Sequence, residues 1–128
     1  MCSKEAVTEF LNIDLDVHGD AGDVAALLGA IEGAVLVLRH EGRDASVELA
    51  EQFASPEETA LGMIDLVGGF RPDVRSIWDR LERRTLDVGI RAAGEPNSTS
   101  FAFSALTVAL LAGLGVDIVF TVYAPLRG

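Results

Sequence analysis

The sequence has a single cysteine, Cys2, so no disulfide can form within the chain. No histidine stands near it in the sequence, which leaves it without the partner that activates a nucleophilic thiol. The first ten residues, Met1 to Phe10, lack a basic stretch followed by an apolar one, so they do not read as a secretory signal and a cytoplasmic location is expected. Gly-x-Ser-x-Gly is missing, as are the glycine patterns that cradle phosphates or dinucleotides, which removes the common serine-hydrolase and nucleotide-binding signatures. An uninterrupted membrane-length apolar run is also missing. Ala105 to Ala124 comes nearest, but Gly113, Gly115 and Asp117 break it.

Basic residues are scarce in one half only. Residues 1–65 hold 14 Asp and Glu against 3 Lys and Arg, a net of −11, whereas residues 66–128 hold 6 against 7, a net of +1. The first half therefore repels nucleic acid and anionic membrane and attracts a basic partner. With 128 residues, 49% of them apolar, the chain can build one core without metal or disulfide. One domain over 1–128 is expected, with 1–9 as a flexible N-terminus.

Leu11 to His18 alternates cleanly: Leu11, Ile13, Leu15 and Val17 face one way, and Asn12, Asp14, Asp16 and His18 the other. That is a half-buried strand. Asp20 or Asp23 can cap a helix over 24–32, where Val24, Leu27, Leu28 and Ile31 recur at helical spacing. Residues 34–40 read as a second strand, apolar on both faces at its start and so expected well inside the sheet. A Gly42 turn leads to a third strand over 45–52, completing a hairpin. Ser55-Pro56-Glu57-Glu58 starts a helix over 56–67 with a capping box, and a second helix over 73–82 follows. Residues 86–92 alternate again, 93–104 form a loop with a short extended piece at 101–103, and Ser104 caps a helix over 105–112. The β-branched and aromatic residues of 117–124 form the last strand.

The two ends share the order strand, helix, glycine, strand, which suggests a weak internal duplication of a βαβ unit. The fold expected is α+β, a ferredoxin-like or related sandwich. It has a mixed five-stranded sheet built from two βαβ-type halves with helices packed on one face. Such a sheet leaves Val119 and Tyr123 wet unless the middle helices or a second copy of the protein cover them.

Asp14, Asp16 and His18 lie at i, i+2 and i+4 of one strand face, which suggests a metal site, with His40 as a further ligand. The run Asp14-x-Asp16-x-His18-Gly19 resembles the start of a calcium loop, but the twelfth position is Ala25 rather than a bidentate Glu, and a strand precedes it. The bland alternative is the polar face of an amphipathic strand. Arg75, Arg80, Arg83, Arg84 and Arg91 form a basic cluster interleaved with Asp73, Asp79, Glu82 and Asp87, with Asp79 and Arg83 spaced to pair. The loop 94–100 before a helix could hold an anion. No catalytic residue is identified and no cofactor is expected.

The segments Leu86-Asp87-Val88-Gly89-Ile90 and Leu110 to Tyr123 resemble small bacterial α+β domains of unknown function. These end in a helix, a Leu-Gly turn and a strand closing on Val/Ile-Tyr. That group is related to the immunity proteins of toxin systems, so the resemblance implies a binder of a toxin.

The expectation is a non-catalytic protein-interaction module. Asp14, Asp16, Asp20, Glu48 and Glu51 would present the acidic surface to a basic protein partner, which the resemblance suggests is a toxin. Self-association through the sheet is a further expectation. The alternatives are a small-molecule-binding regulatory domain, with a cleft near 93–104, and a metal-dependent enzyme using Asp14, Asp16 and His18.

Overall fold

The computed structural model describes residues 7–94 and 98–125. Cys2, most of the tail expected to be flexible and the centre of the 94–100 loop lie outside the described residues. Thr8 exchanges hydrogen bonds with Ala93 (Ala93 N to Thr8 Oγ1, 3.0 Å), and Glu9 already opens the first strand.

The elements are β1 (Glu9–His18), α1 (Ala21–Ala30), β2 (Val35–Glu41), β3 (Asp44–Leu49), α2 (Pro56–Gly68), α3 (Pro72–Arg80), β4 (Arg83–Arg91), α4 (Ala105–Gly113) and β5 (Asp117–Tyr123). The strand order is β2-β3-β1-β4-β5. β1 is antiparallel to both β3 and β4, β2 is antiparallel to β3, and β5 runs parallel to β4. This is an α+β fold with one mixed five-stranded sheet. Its first four strands have the interleaved order of a ferredoxin-like frame, and α4 and β5 extend it at one edge.

The two ends are not equivalent. β3 inserts between β1 and β2, whereas β4 and β5 are neighbours. A second departure concerns β2. It is an edge strand, and past Val35 its side chains are exposed. The apolar run of 35–38 was compatible with a buried strand, but β3 carries the better alternation, with Ala45, Val47 and Leu49 buried, and takes the inner place. Residues 101–103 do not form a strand; Phe103 instead packs on Phe120 with ring centroids 6.3 Å apart.

Burial follows strand parity. Ile13, Leu15 and Val17 of β1 share the core with Val47 of β3 and Leu86 and Val88 of β4, all on one face. Each such side chain contributes about 1.5–3 kcal/mol by leaving water. The helices cover this face. Asp20 caps α1 by accepting from Asp23 N at 3.0 Å, Ser55 caps α2 from Glu58 N at 3.1 Å, and Ser104 caps α4 from Thr107 N at 3.1 Å. Glu57 ties α2 to α4, accepting from Ser104 N at 2.9 Å and Thr107 Oγ1 at 2.9 Å. The Ser104 amide in particular holds its carboxyl below the usual range.

Arg84 locks the far end of the core. Its guanidinium donates to the carbonyls of Trp78 (2.8 Å), Leu81 (2.9 Å) and Gly115 (3.1 Å), and lies 5.8 Å from the Trp78 ring centroid. Trp78, 1% exposed, donates to Leu114 O at 3.1 Å. The end of α3 is thus joined to the α4–β5 turn. Gly115 makes the fit possible, with φ of +71° and with Arg84 Nη2 2.7 Å from where a Cβ would lie, so a side chain there would require the guanidinium to shift.

Gly115→Ala is therefore expected to cost about 2–3 kcal/mol, combining left-handed strain with displacement of Arg84. Gly33→Ala, at φ +91° in open space, carries the strain alone and should cost about 1–2 kcal/mol. Urea unfolding of the two variants compares them directly. Equal losses would mean that the Arg84 contact adds nothing.

Candidate functional site on the open sheet face

The face of the sheet away from the helices carries most polar residues of the strands, His40 of β2 and Arg84 of β4 being on the other face. On β1 these are Asn12, Asp14, Asp16 and His18, as the alternation predicts. A bulge between Phe10 and Asn12 breaks the pattern at Leu11, which is expected to face the core and instead lines the open face. The antiparallel register sets Asp87 of β4 directly opposite Asp14. Glu48 of β3 lies on the other side of Asp14, one step beyond the Leu15–Val47 pair. Glu48, Asp14 and Asp87 therefore form a carboxylate row across three strands, with Asp16 two residues further along β1.

Two of the row's members have a neutral donor. Asn12 Nδ2 donates to Glu48 Oε2 at 2.8 Å, and Thr121 Oγ1 donates to Asp87 Oδ1 at 2.6 Å. Asp16 accepts from Ser46 Oγ. Among the described residues, Asp14 has no such donor. Burial, followed by the charges of Asp16, Glu48 and Asp87, raises its pKa from the ordinary 3.8 to about 6. Like charges placed opposite each other on a sheet repel, so the row carries an electrostatic cost that the neutral donors on Glu48 and Asp87 offset only in part. Beside it lies a shallow hollow of about 170 Å³, whose walls include Asp14, Gly89, Arg91 and Tyr123. Arg91 pairs loosely with Glu9 at 3.6 Å, and its buried Nε has no hydrogen-bond partner among the described residues.

The other residues singled out from the sequence are dispersed. His18 does not join Asp14 and Asp16 as a ligand set. Its Nδ1 lies 2.7 Å from Asp44 Oδ1 and its Nε2 is 3.8 Å from Glu82. The His18 hydrogen bond holds the Asp44 carboxyl below its usual range. Among the described residues, no three His, Cys, Asp or Glu side chains are placed to hold one metal ion. The ladder explains this, because side chains two apart on an extended strand diverge by about 7 Å along it. His40 sits opposite Ala45, so it belongs to the other face of the sheet. Asp20 is occupied as the α1 cap. Glu51 lies past the end of β3, at the lip of an open groove of about 480 Å³ with Phe53, Gly62 and Asp65.

The arginines are mostly internal partners. Arg80 grips Asp23 through two bonds of 2.8 and 3.2 Å, which lowers the Asp23 pKa and raises that of Arg80. Asp79 pairs with Arg75 at 3.1 Å, not with Arg83, because α3 ends at Arg80 and Arg83 already belongs to β4.

Sequence reasoning placed Asn12 on the face of Asp14 but missed Asp87, Thr121 and Arg91 as parts of the same surface. The outward parity of Asp87 and Arg91 was visible, but the register that sets Asp87 against Asp14 was not. What the arrangement offers chemically is a set of carboxylate acceptors with one member short of a donor, suited to an ammonium or guanidinium group. No helix among the described residues is long and apolar enough to cross a membrane. No family model, curated protein or solved structure matches the chain.

Folding raises the Asp14 pKa, so the group's favourable effect is complete below about 3.8, where it is protonated in both states, and is lost as pH rises through about 6. Asp14→Asn keeps the shape without the charge. Allowing for solvent screening of a partly exposed group, the variant should be about 1 kcal/mol more stable than the parent at pH 7.5. The two should be equal at pH 3.5, as read from denaturant midpoints across pH. A constant difference at every pH would refute the assignment.

Proposed function

We propose that the protein is a non-catalytic interaction module that takes a basic protein partner on its open sheet face. The observation carrying this reading is the Glu48–Asp14–Asp87 row, in which Asp14 has no hydrogen-bond donor among the described residues. A lysine or arginine from a partner supplies the missing donor and removes the repulsion between carboxylates. The net charge of −10, concentrated in the first half of the chain, adds long-range attraction and fast encounter. A cytoplasmic neutraliser of a basic bacterial toxin fits this chemistry and is the form of the reading that the immunity-protein resemblance favours. Self-association through the sheet accompanies it, because apolar side chains remain exposed along β5.

The test is a partner that binds at low ionic strength and is released as salt rises. Asp14→Asn combined with Asp16→Asn and Glu48→Gln should weaken that complex by at least ~10-fold and flatten its salt dependence, as followed by calorimetry. Binding that ignores both salt and the triple substitution would sink the reading.

A further inference from the structure

The two edges of the sheet are built differently. β2 carries a bulge between Val37 and Arg39, and Arg39 and Glu41 form a charge pair at 3.4 Å. Bulges and charges are the usual means by which an edge strand refuses a further strand. β5 has neither. Its ladder with β4 is regular from Asp117 to Tyr123, and Asp117 is its sole charged residue. Phe120 and Val122, on the helix side, are 55% and 62% exposed, and Val119 and Tyr123 are exposed on the other face. α4, which has no charged residue, adds Leu106, 67% exposed, with Val108 and Leu110. Together these side chains leave an apolar margin along the β5 edge and α4, the kind of exposed surface that marks an interaction site.

We propose that β5 pairs antiparallel with β5 of a second copy about a two-fold axis at Phe120, with the two α4 helices meeting across the same axis. This gives a definite form to the self-association in the proposed function and does not depend on the basic partner.

Backbone direction supports the pairing. The Tyr123 carbonyl accepts from Ala92 N at 2.9 Å, so the amide groups of the odd-numbered residues of β5 aim at β4. Those of Ile118, Phe120 and Val122 aim outward. A two-fold axis at Phe120 sets Ile118 against Val122 of the second copy and Phe120 against its own counterpart. Every outward N–H then meets an outward carbonyl. The same register keeps each side chain on its own face of the sheet and opposes Ile118 to Val122 and Phe120 to Phe120 on the helix side. On the other side it sets Val119 against Thr121 and Asp117 against Tyr123 rather than against another acid. Charge favours this edge as well. β5 belongs to the near-neutral half of the sequence, and β3 and β2 lie at the far end of the sheet, so pairing through β5 holds the two acidic halves apart.

Sedimentation equilibrium of the full chain should show a dimer at micromolar concentration, and Val122→Lys should raise the dimer Kd by at least ~100-fold. The register is read separately in a Cys2→Ser background. Mild oxidation should cross-link a mixture of Val119→Cys and Thr121→Cys proteins far more than either alone, because these residues face one another only across the axis. Dimerisation abolished by Val122→Lys together with selective mixed cross-linking supports the proposal. A wild-type monomer at 200 μM overturns it, as does a dimer unaffected by Val122→Lys. Exchange-protected outer β5 amides in a monomer, from cover by the chain itself, overturn it too. A dimer without the mixed cross-link overturns this register while leaving self-association standing, and none of these results bears on the acidic face.

Discussion

The sheet is organised by the alternation of β1. This strand is hydrogen-bonded on both sides, to β3 and to β4, and its odd-numbered residues Ile13, Leu15 and Val17 are all in the core. A shift of one residue would drive Asp14 and Asp16 into that core and put Ile13 and Leu15 in water. The penalty is several kilocalories per misplaced carboxylate, far more than a few ladder hydrogen bonds can return. The register that buries the apolar side also fixes which carboxylates meet on the other side. The core and the acidic row are two faces of one constraint.

The structure departs from simple duplication where α4 and β5 join the frame. β1 to β4 form the interleaved antiparallel set, with α1 packed beside α3 and α2 over β1 and β3. The addition is held by particular polar contacts at its two ends. Glu57 reaches from α2 to the start of α4, and Arg84 closes on Gly115 and Trp78 at its finish. Between those anchors, Thr107 and Leu111 are the buried residues of α4, and the rest of the helix is left apolar and wet.

Much of this could be read from the sequence because its signals are local. The period-two pattern of 11–18, the Ser55-Pro56 start and the glycine stop before 117–123 each specify their element without help from distant residues. The middle helix after Pro72 also emerged, though its end was placed two residues late because Leu81 continues the apolar spacing after the backbone has left the helix. What stayed hidden was pairing. Nothing in 34–38 announces an edge, since Leu36, Val37 and Leu38 are as apolar as any buried run, and the charges that mark one come only at Arg39 and Glu41. Arg84 looked like one more surface arginine, and its three carbonyl partners come together only in the folded chain. Of the carboxylates that come together here, Asp14 and Asp16 were singled out by their shared strand face and Glu48 by the acidity of the first half, whereas Asp87 needed the β1–β4 register.

The partial burial of Asp14, followed by the crowding of Asp16, Glu48 and Asp87 around it, makes the proton itself a ligand of this surface. Any cation that settles there, whether a hydronium's proton or a side chain from another molecule, lowers the free energy of the native state relative to the unfolded one. The two occupants are mutually exclusive at Asp14, because a neutral carboxyl no longer attracts a positive group. Acidification and a positively charged guest therefore act on native-state stability in the same direction and against each other in occupancy, a thermodynamic linkage set by the geometry of three neighbouring strands.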